Sequence, residues 1–156
     1  MGSIVYKKDY PQLVETEVSG STLKWHGSDR EEFYKENVKE GWRWKDTNIE
    51  YKFNWLGYRT KEIPELDKDF LLTFGCSFTE GIGLPNKSIW PNKLASLLNL
   101  DVYNAGKGGS GLDICYYNAL LWKQNKLPLP KQVVLQLPEA ERKSWGTYVD
   151  DNISLD

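Results

Sequence analysis

Phe70-Leu71-Leu72-Thr73-Phe74-Gly75-Cys76-Ser77-Phe78-Thr79-Glu80-Gly81 is the stretch on which the fold turns. Phe70–Phe74 is a compact apolar run of strand length, and it stops at a glycine. The small hydroxyl of Ser77 then stands in a glycine-bounded turn, which is how an α/β protein presents a nucleophile at the carboxyl end of a strand. Downstream the pattern alternates. Ile89 to Leu100 reads as a helix with Trp90, Leu94, Leu97 and Leu98 on one face, expected to lie on the sheet. Asp101–Ala105 reads as a short second strand. Leu112 to about Lys126 reads as a second helix with Leu112, Cys115, Tyr116, Ala119 and Leu120 in register, and Val133–Leu137 as a third strand, set off by Pro128 and Pro130. This β-α-β-α-β order predicts a parallel sheet with right-handed crossovers. Ser77, Gly106–Gly111 and Pro138–Arg142 then converge on one rim.

Upstream the habit differs. Residues 1–68 are polar and aromatic-rich, with Trp25, Trp42, Trp44 and Trp55 supplying four of the seven tryptophans. The expected organisation is an aromatic-rich extension (1–68) packed on an α/β domain (69–156), joined at Pro64–Asp69. The tryptophans are expected to supply buried area, in preference to forming a sugar-stacking platform. Val14 to Trp25 suggests a hairpin around Ser19-Gly20-Ser21, and Ser28-Asp29 followed by Glu31-Glu32 starts a helix over Glu31–Glu40 that Gly41 would end.

Composition sets outer bounds. A chain of 156 residues, 40% hydrophobic and 27% charged, suits one globular core. Its 20 basic and 22 acidic residues leave a formal charge of −2, with no electrostatic footprint for nucleic acid or an anionic membrane surface. No apolar run reaches the ~18 residues of a membrane span, and no charged-then-apolar leader opens the sequence, so a cytoplasmic protein is expected. Cys76 and Cys115, the two cysteines, lack the spacing of a zinc site and are expected to be reduced. Neither a metal nor an organic cofactor is implied.

Gly75-Cys76-Ser77-Phe78-Thr79-Glu80-Gly81, followed after one helix and one strand by Asn104-Ala105-Gly106-Lys107-Gly108-Gly109-Ser110, resembles the first two sequence blocks of the SGNH (GDSL-type) serine hydrolases. Tyr51-Lys52-Phe53-Asn54-Trp55-Leu56-Gly57-Tyr58-Arg59 is similar to a segment that precedes the first block in some members, including ones from marine microbes and their phages, which makes a viral source one expectation. The resemblance covers residues 51–142. It implies a three-layer α/β/α, flavodoxin-like parallel sheet, incomplete here because three strands are counted where family domains have five. It implies an esterase or acyl hydrolase acting on an acyl ester, carbohydrate-linked in one version. Ser77 would be the nucleophile, and the N–H groups of Ser77 and Gly109 would hold the oxyanion, at about 3 kcal/mol per donor.

The sequence also departs from that pattern. Cys76 replaces the aspartate of the first block. The third block should fall near Leu137-Pro138-Glu139-Ala140-Glu141, where its asparagine is missing, leaving Gln136 as a candidate amide donor and Arg142 as a further rim residue. The last block, Asp-x-x-His, has no counterpart at Asp150 or Asp151. His26, the one histidine in the sequence, could reach the rim only if the amino-terminal segment folds over it. A serine without a general base is a poor nucleophile, so the chain is expected to be weak alone and to need a second segment, another chain or a homo-oligomer. Two other readings compete. One is a non-catalytic binding or assembly module on the same fold. The other is a nucleotide-binding domain, because Gly106-x-Gly108-x-x-Gly111 matches the dinucleotide fingerprint, with Glu139 as its ribose acid.

Overall fold

The computed structural model describes residues 18–67, 69–142, 146–149 and 152–155. In chain order the elements are Thr22–Leu23 (β1), Glu31–Asn37 (α1), Tyr51–Lys52 (β2), Phe70–Gly75 (β3), Ser77–Glu80 (α2), Trp90–Leu98 (α3), Asp101–Gly106 (β4), Leu112–Gln124 (α4) and Gln132–Leu135 (β5). An antiparallel pair, Gly146–Val149 (β6) with Asn152–Leu155 (β7), follows. The central sheet has three parallel strands in the order β4-β3-β5. Its register runs from Phe70 opposite Asp101 to Gly75 opposite Gly106, so the loops after β3 and β4 leave the sheet at the same level.

β3 is buried at all six positions, which is why its sequence is a continuous apolar run and not an alternation. Phe70, Leu72 and Phe74, with Tyr103 and Ala105 of β4, form a core with Cys115 and Trp122 of α4. On the other face Thr73 Oγ1 donates to Asn104 Oδ1 at 3.3 Å, and Asn104 Nδ2 donates to the Thr79 carbonyl of α2 at 2.8 Å. Trp122 is the central ring of the core. Its centroid lies 5.0 Å from Tyr103 and 6.0 Å from Phe70, and its indole N–H donates to the Pro128 carbonyl at 2.9 Å. Trp122→Ala is expected to cost about 3–5 kcal/mol, the range for deleting a buried aromatic, read as a lower urea midpoint at unchanged m.

The segment before β3 belongs to this core. Leu56, Tyr58 and Ile63 pack in the same cluster as the strands. Asn54 holds their turn: its Oδ1 accepts from the N–H groups of Leu56 and Tyr58, and its Nδ2 donates to the Tyr103 hydroxyl at 3.1 Å.

Several expectations are corrected. β1 pairs antiparallel with β2, 28 residues further on, and not within a local hairpin around Gly20; residues 14–17 of that expected hairpin lie outside the described residues. α1 ends at Asn37, before Gly41, and buries no residue. None of the four upstream tryptophans is buried: Trp42 and Trp55 are 44% and 56% exposed, and Trp25 and Trp44 are half-buried. Lys24 and Arg43 lie over the rings of Trp25 and Trp44, so these indoles carry cations at the surface instead of filling a core.

Both long helices also turn a different face inward. α3 buries Pro91 and Ala95 and leaves Leu97 84% exposed. α4 buries Ile114, Cys115, Asn118 and Trp122, while Leu112 and Tyr116 are 51% and 64% exposed. The cause in α4 is polar: Asn118 Nδ2 donates to the buried Tyr58 hydroxyl at 2.7 Å, and that bond brings an asparagine inward. β5 is Gln132–Leu135, and Leu137, expected in the strand, lies beyond it. Among the described residues β5 pairs only with β3. Val133 and Leu135 are exposed there, beside a groove of about 450 Å³ lined by Ala119, Trp122, Leu127, Leu129 and Pro130. No helix among the described residues is long and apolar enough to cross a membrane.

Candidate active site

The rim is built where β3 and β4 end together. α2 starts at Ser77, immediately after the buried Cys76, and Gly81 closes it in the left-handed conformation, its N–H bonded to the Ser77 carbonyl. α2 packs closely on the end of β4. A Cβ built on Gly106 would sit 2.6 Å from the Glu80 backbone nitrogen and 2.7 Å from Thr79 Cβ, so only glycine allows this approach. Gly106→Ala is therefore expected to lower stability by about 1–3 kcal/mol, the usual overpacking cost, measured as a drop in thermal midpoint.

The loop after β4 lies beside the serine. A Cβ on Gly108 would be 3.9 Å from Ser77 Cβ. The Lys107 N–H bonds to the Gly75 carbonyl at 3.1 Å, and the Ser110 N–H to the Lys107 carbonyl at 3.2 Å. Between them Gly109 adopts φ +80°, is exposed, and its N–H makes no hydrogen bond to any described residue. The Ser77 N–H, at the first position of α2, is likewise unbonded among the described residues. The rim thus holds a half-buried serine with two uncommitted backbone donors on adjacent loops.

His26 arrives from upstream. Its Nε2 lies 2.8 Å from Oε1 of Glu80, a carboxylate on α2 that is 3% exposed. The other oxygen, Oε2, accepts the Gly108 N–H at 2.5 Å. His26 reaches the rim on a tight turn in which His26 and Asp29 exchange backbone hydrogen bonds. The imidazole packs against Phe53, centroid to centroid 4.8 Å, and near Tyr51 at 5.6 Å.

Comparison with protein-family models, with curated protein sequences and with solved structures gives no match. What the site can do therefore rests on its own geometry.

The remaining sequence candidates are placed as follows. Gln136, next after β5, accepts the Thr79 hydroxyl on Oε1 at 2.5 Å, so its side chain is tied to α2. Arg142 is 3.6 Å from Glu139, and its carbonyl oxygen crosses the start of α4, where a Cβ on Gly111 would meet it at 2.4 Å. Within the Gly106-x-Gly108-x-x-Gly111 pattern the Gly108 N–H is bonded to Glu80. Asp150 and Asp151 lie outside the described residues. Cys76 and Cys115 are free and buried, and burial pushes the Cys115 thiol up to about 11, far from the range of a reactive cysteine. No group of three or more metal-binding side chains occurs among the described residues.

Glu80 and Arg59 were not singled out as site residues by the sequence. For Glu80 a signal existed: it stands one helical turn after Ser77, a spacing that places two side chains on one face. Arg59 sat inside a quoted segment without a role. It is 2% exposed and donates to the carbonyls of Gly81 at 2.7 Å, Leu84 at 2.8 Å and Glu50 at 3.0 Å, stitching the segment before β3 to the loop after α2. Burial lowers its pKa from the ordinary arginine value, opposed by the nearby Tyr51, Glu80 and Asp29.

Proposed function

We propose that this chain carries an SGNH-type acyl-ester hydrolase site with Ser77 as nucleophile. The observation that carries the reading is the pair of uncommitted N–H groups, Ser77 and Gly109, beside the Ser77 side chain where β3 and β4 end together. The Ser77 oxygen would attack the ester carbonyl carbon, its proton passing to a general base, and the carbonyl oxygen would gain a negative charge between the two N–H groups. Fixed backbone donors aimed at that oxygen are worth about 10²–10³ each in rate. The alcohol would leave with a proton, and water would then release the acyl group from Ser77. The strand order β4-β3-β5, with α4 on one face and α2 on the other, supports the flavodoxin-like arrangement that the resemblance implies.

The resemblance assigns the base to an Asp-x-x-His block, a pattern that Asp150 and Asp151 do not match. A fluorophosphonate probe tests the reading. Attack of Ser77 on phosphorus forms the O–P bond as fluoride departs and the serine proton is released. The expected result is a single adduct mapped to Ser77 by peptide mass spectrometry. Folded protein that stays unlabelled after long exposure overturns the reading.

A second reading, an assembly module, draws on one observation: the exposed Val133 and Leu135 of β5, a strand with an unpaired side among the described residues. Strict monomers in sedimentation velocity across a wide concentration range would count against it.

A further inference from the structure

Glu80 combines deep burial with two committed oxygens. A carboxylate 3% exposed is costly to keep ionised unless both oxygens are paired. Here Oε1 faces His26 Nε2 at 2.8 Å and Oε2 accepts the Gly108 N–H at 2.5 Å. The Arg59 guanidinium donates to the carbonyls of Glu80 and Gly81, and Asp29 accepts the Tyr51 hydroxyl.

The consequence lies one peptide further on. Gly108 is followed by Gly109, whose left-handed φ of +80° has no side chain to hold it. The direction of the Gly109 N–H is therefore set by what anchors the loop on either side. Gly75 anchors Lys107, Lys107 anchors Ser110, and Glu80 anchors Gly108.

We infer that Glu80 is the positioning residue of the oxyanion loop, and that His26 from the amino-terminal segment is the anchor that holds the Glu80 carboxylate in place. The role assigned to the Gly109 N–H rests on the hydrolase reading above; the anchoring itself does not. In this arrangement the upstream segment is part of the site. His26 acts through its hydrogen bond to Glu80, with Nε2 as donor, and not as the acceptor of the Ser77 proton.

Two readouts on the 156-residue chain separate these statements. The first is the Gly108 amide proton in ¹⁵N-correlated NMR spectra, expected far downfield because it bonds to a carboxylate. The second is the rate of fluorophosphonate labelling at Ser77. In Glu80→Ala the downfield signal should be lost and labelling should fall roughly 100-fold, the loss typical of one oxyanion donor. Glu80→Gln keeps a single acceptor oxygen for two donors, so an intermediate loss is expected. His26→Ala should weaken both readouts, and His26→Gln should restore both, because an amide can donate to Glu80 but cannot accept a proton as a base.

An unchanged Gly108 signal in folded Glu80→Ala would overturn the anchoring role. Failure of His26→Gln to rescue labelling, with the Gly108 signal intact, would overturn the role given to His26 and make it the base. If the native chain is not labelled at all, the hydrolase reading falls, and the NMR arm still decides the anchoring.

Discussion

Arg59→Met is expected to cost about 4 kcal/mol of folding free energy, since hydrogen bonds from a charged donor are worth about 1.5–3 kcal/mol each and this one makes several. Methionine fills much of the volume and supplies no donor. The carbonyls of Glu50, Gly81 and Leu84, each within 3.0 Å of the guanidinium, would lose that partner at once. The buried Gly81 carbonyl left without a partner costs about 1–3 kcal/mol, and the part-buried Glu50 and Leu84 carbonyls add smaller losses. Because small domains are stable by only about 5–15 kcal/mol, the variant should unfold at a far lower urea concentration or fail to accumulate. Arg59→Lys should recover only part of the loss, since an ammonium cannot fork across carbonyls from two segments. A urea midpoint for Arg59→Met within error of the native one would show that the stitch carries little energy. The Arg59 ring contact adds to the expectation: the guanidinium sits 4.3 Å from the Tyr51 centroid, closing the segment over the rim.

Ser77→Ala should behave in the opposite way. The Ser77 hydroxyl makes no hydrogen bond to any described residue, and its side chain is half-buried at a loop-to-helix start. Its removal should therefore leave the thermal midpoint within about 0.5 kcal/mol of native, as for substitutions away from packed or bonded groups. Fluorophosphonate labelling and hydrolysis of a short-chain p-nitrophenyl ester should both fall to the rate without protein. The serine oxygen forms the covalent bond in both reactions, so neither the phosphonate adduct nor the acyl-enzyme can form without it. Ester hydrolysis that persists in Ser77→Ala would point to another group, and the serine would lose its assigned role. The contrast between a silent stability change and a lost activity separates a working residue from a structural one.

The parts of the fold that were legible in the sequence are those governed by short-range pattern. Phe70–Gly75 is a strand because a run of apolar residues of that length, ended by glycine, suits a strand buried on both faces. The later alternation of helix and strand was legible for the same reason, and the three-stranded parallel sheet follows it. Helix faces were misread because apolar spacing was treated as the whole signal. In α4, Asn118 competes with Leu112 and Tyr116 for the inward face, and it wins through a hydrogen bond to Tyr58, 60 residues away in sequence. Trp25 and Trp44 were misread because ring area was weighed without the neighbouring cations, Lys24 and Arg43, which can cover an indole at the surface.

At the rim, the sequence by itself determined Ser77 after β3 and the glycines after β4, since these are local turn requirements at strand ends. Tertiary structure alone decided the rest. That His26 meets Glu80, that Glu80 fixes Gly108, and that Arg59 joins Glu50 to Leu84 are consequences of long-range folding. The reason is physical: a buried charge or polar group must find partners wherever the chain brings them, and no local periodicity records which distant atom that will be.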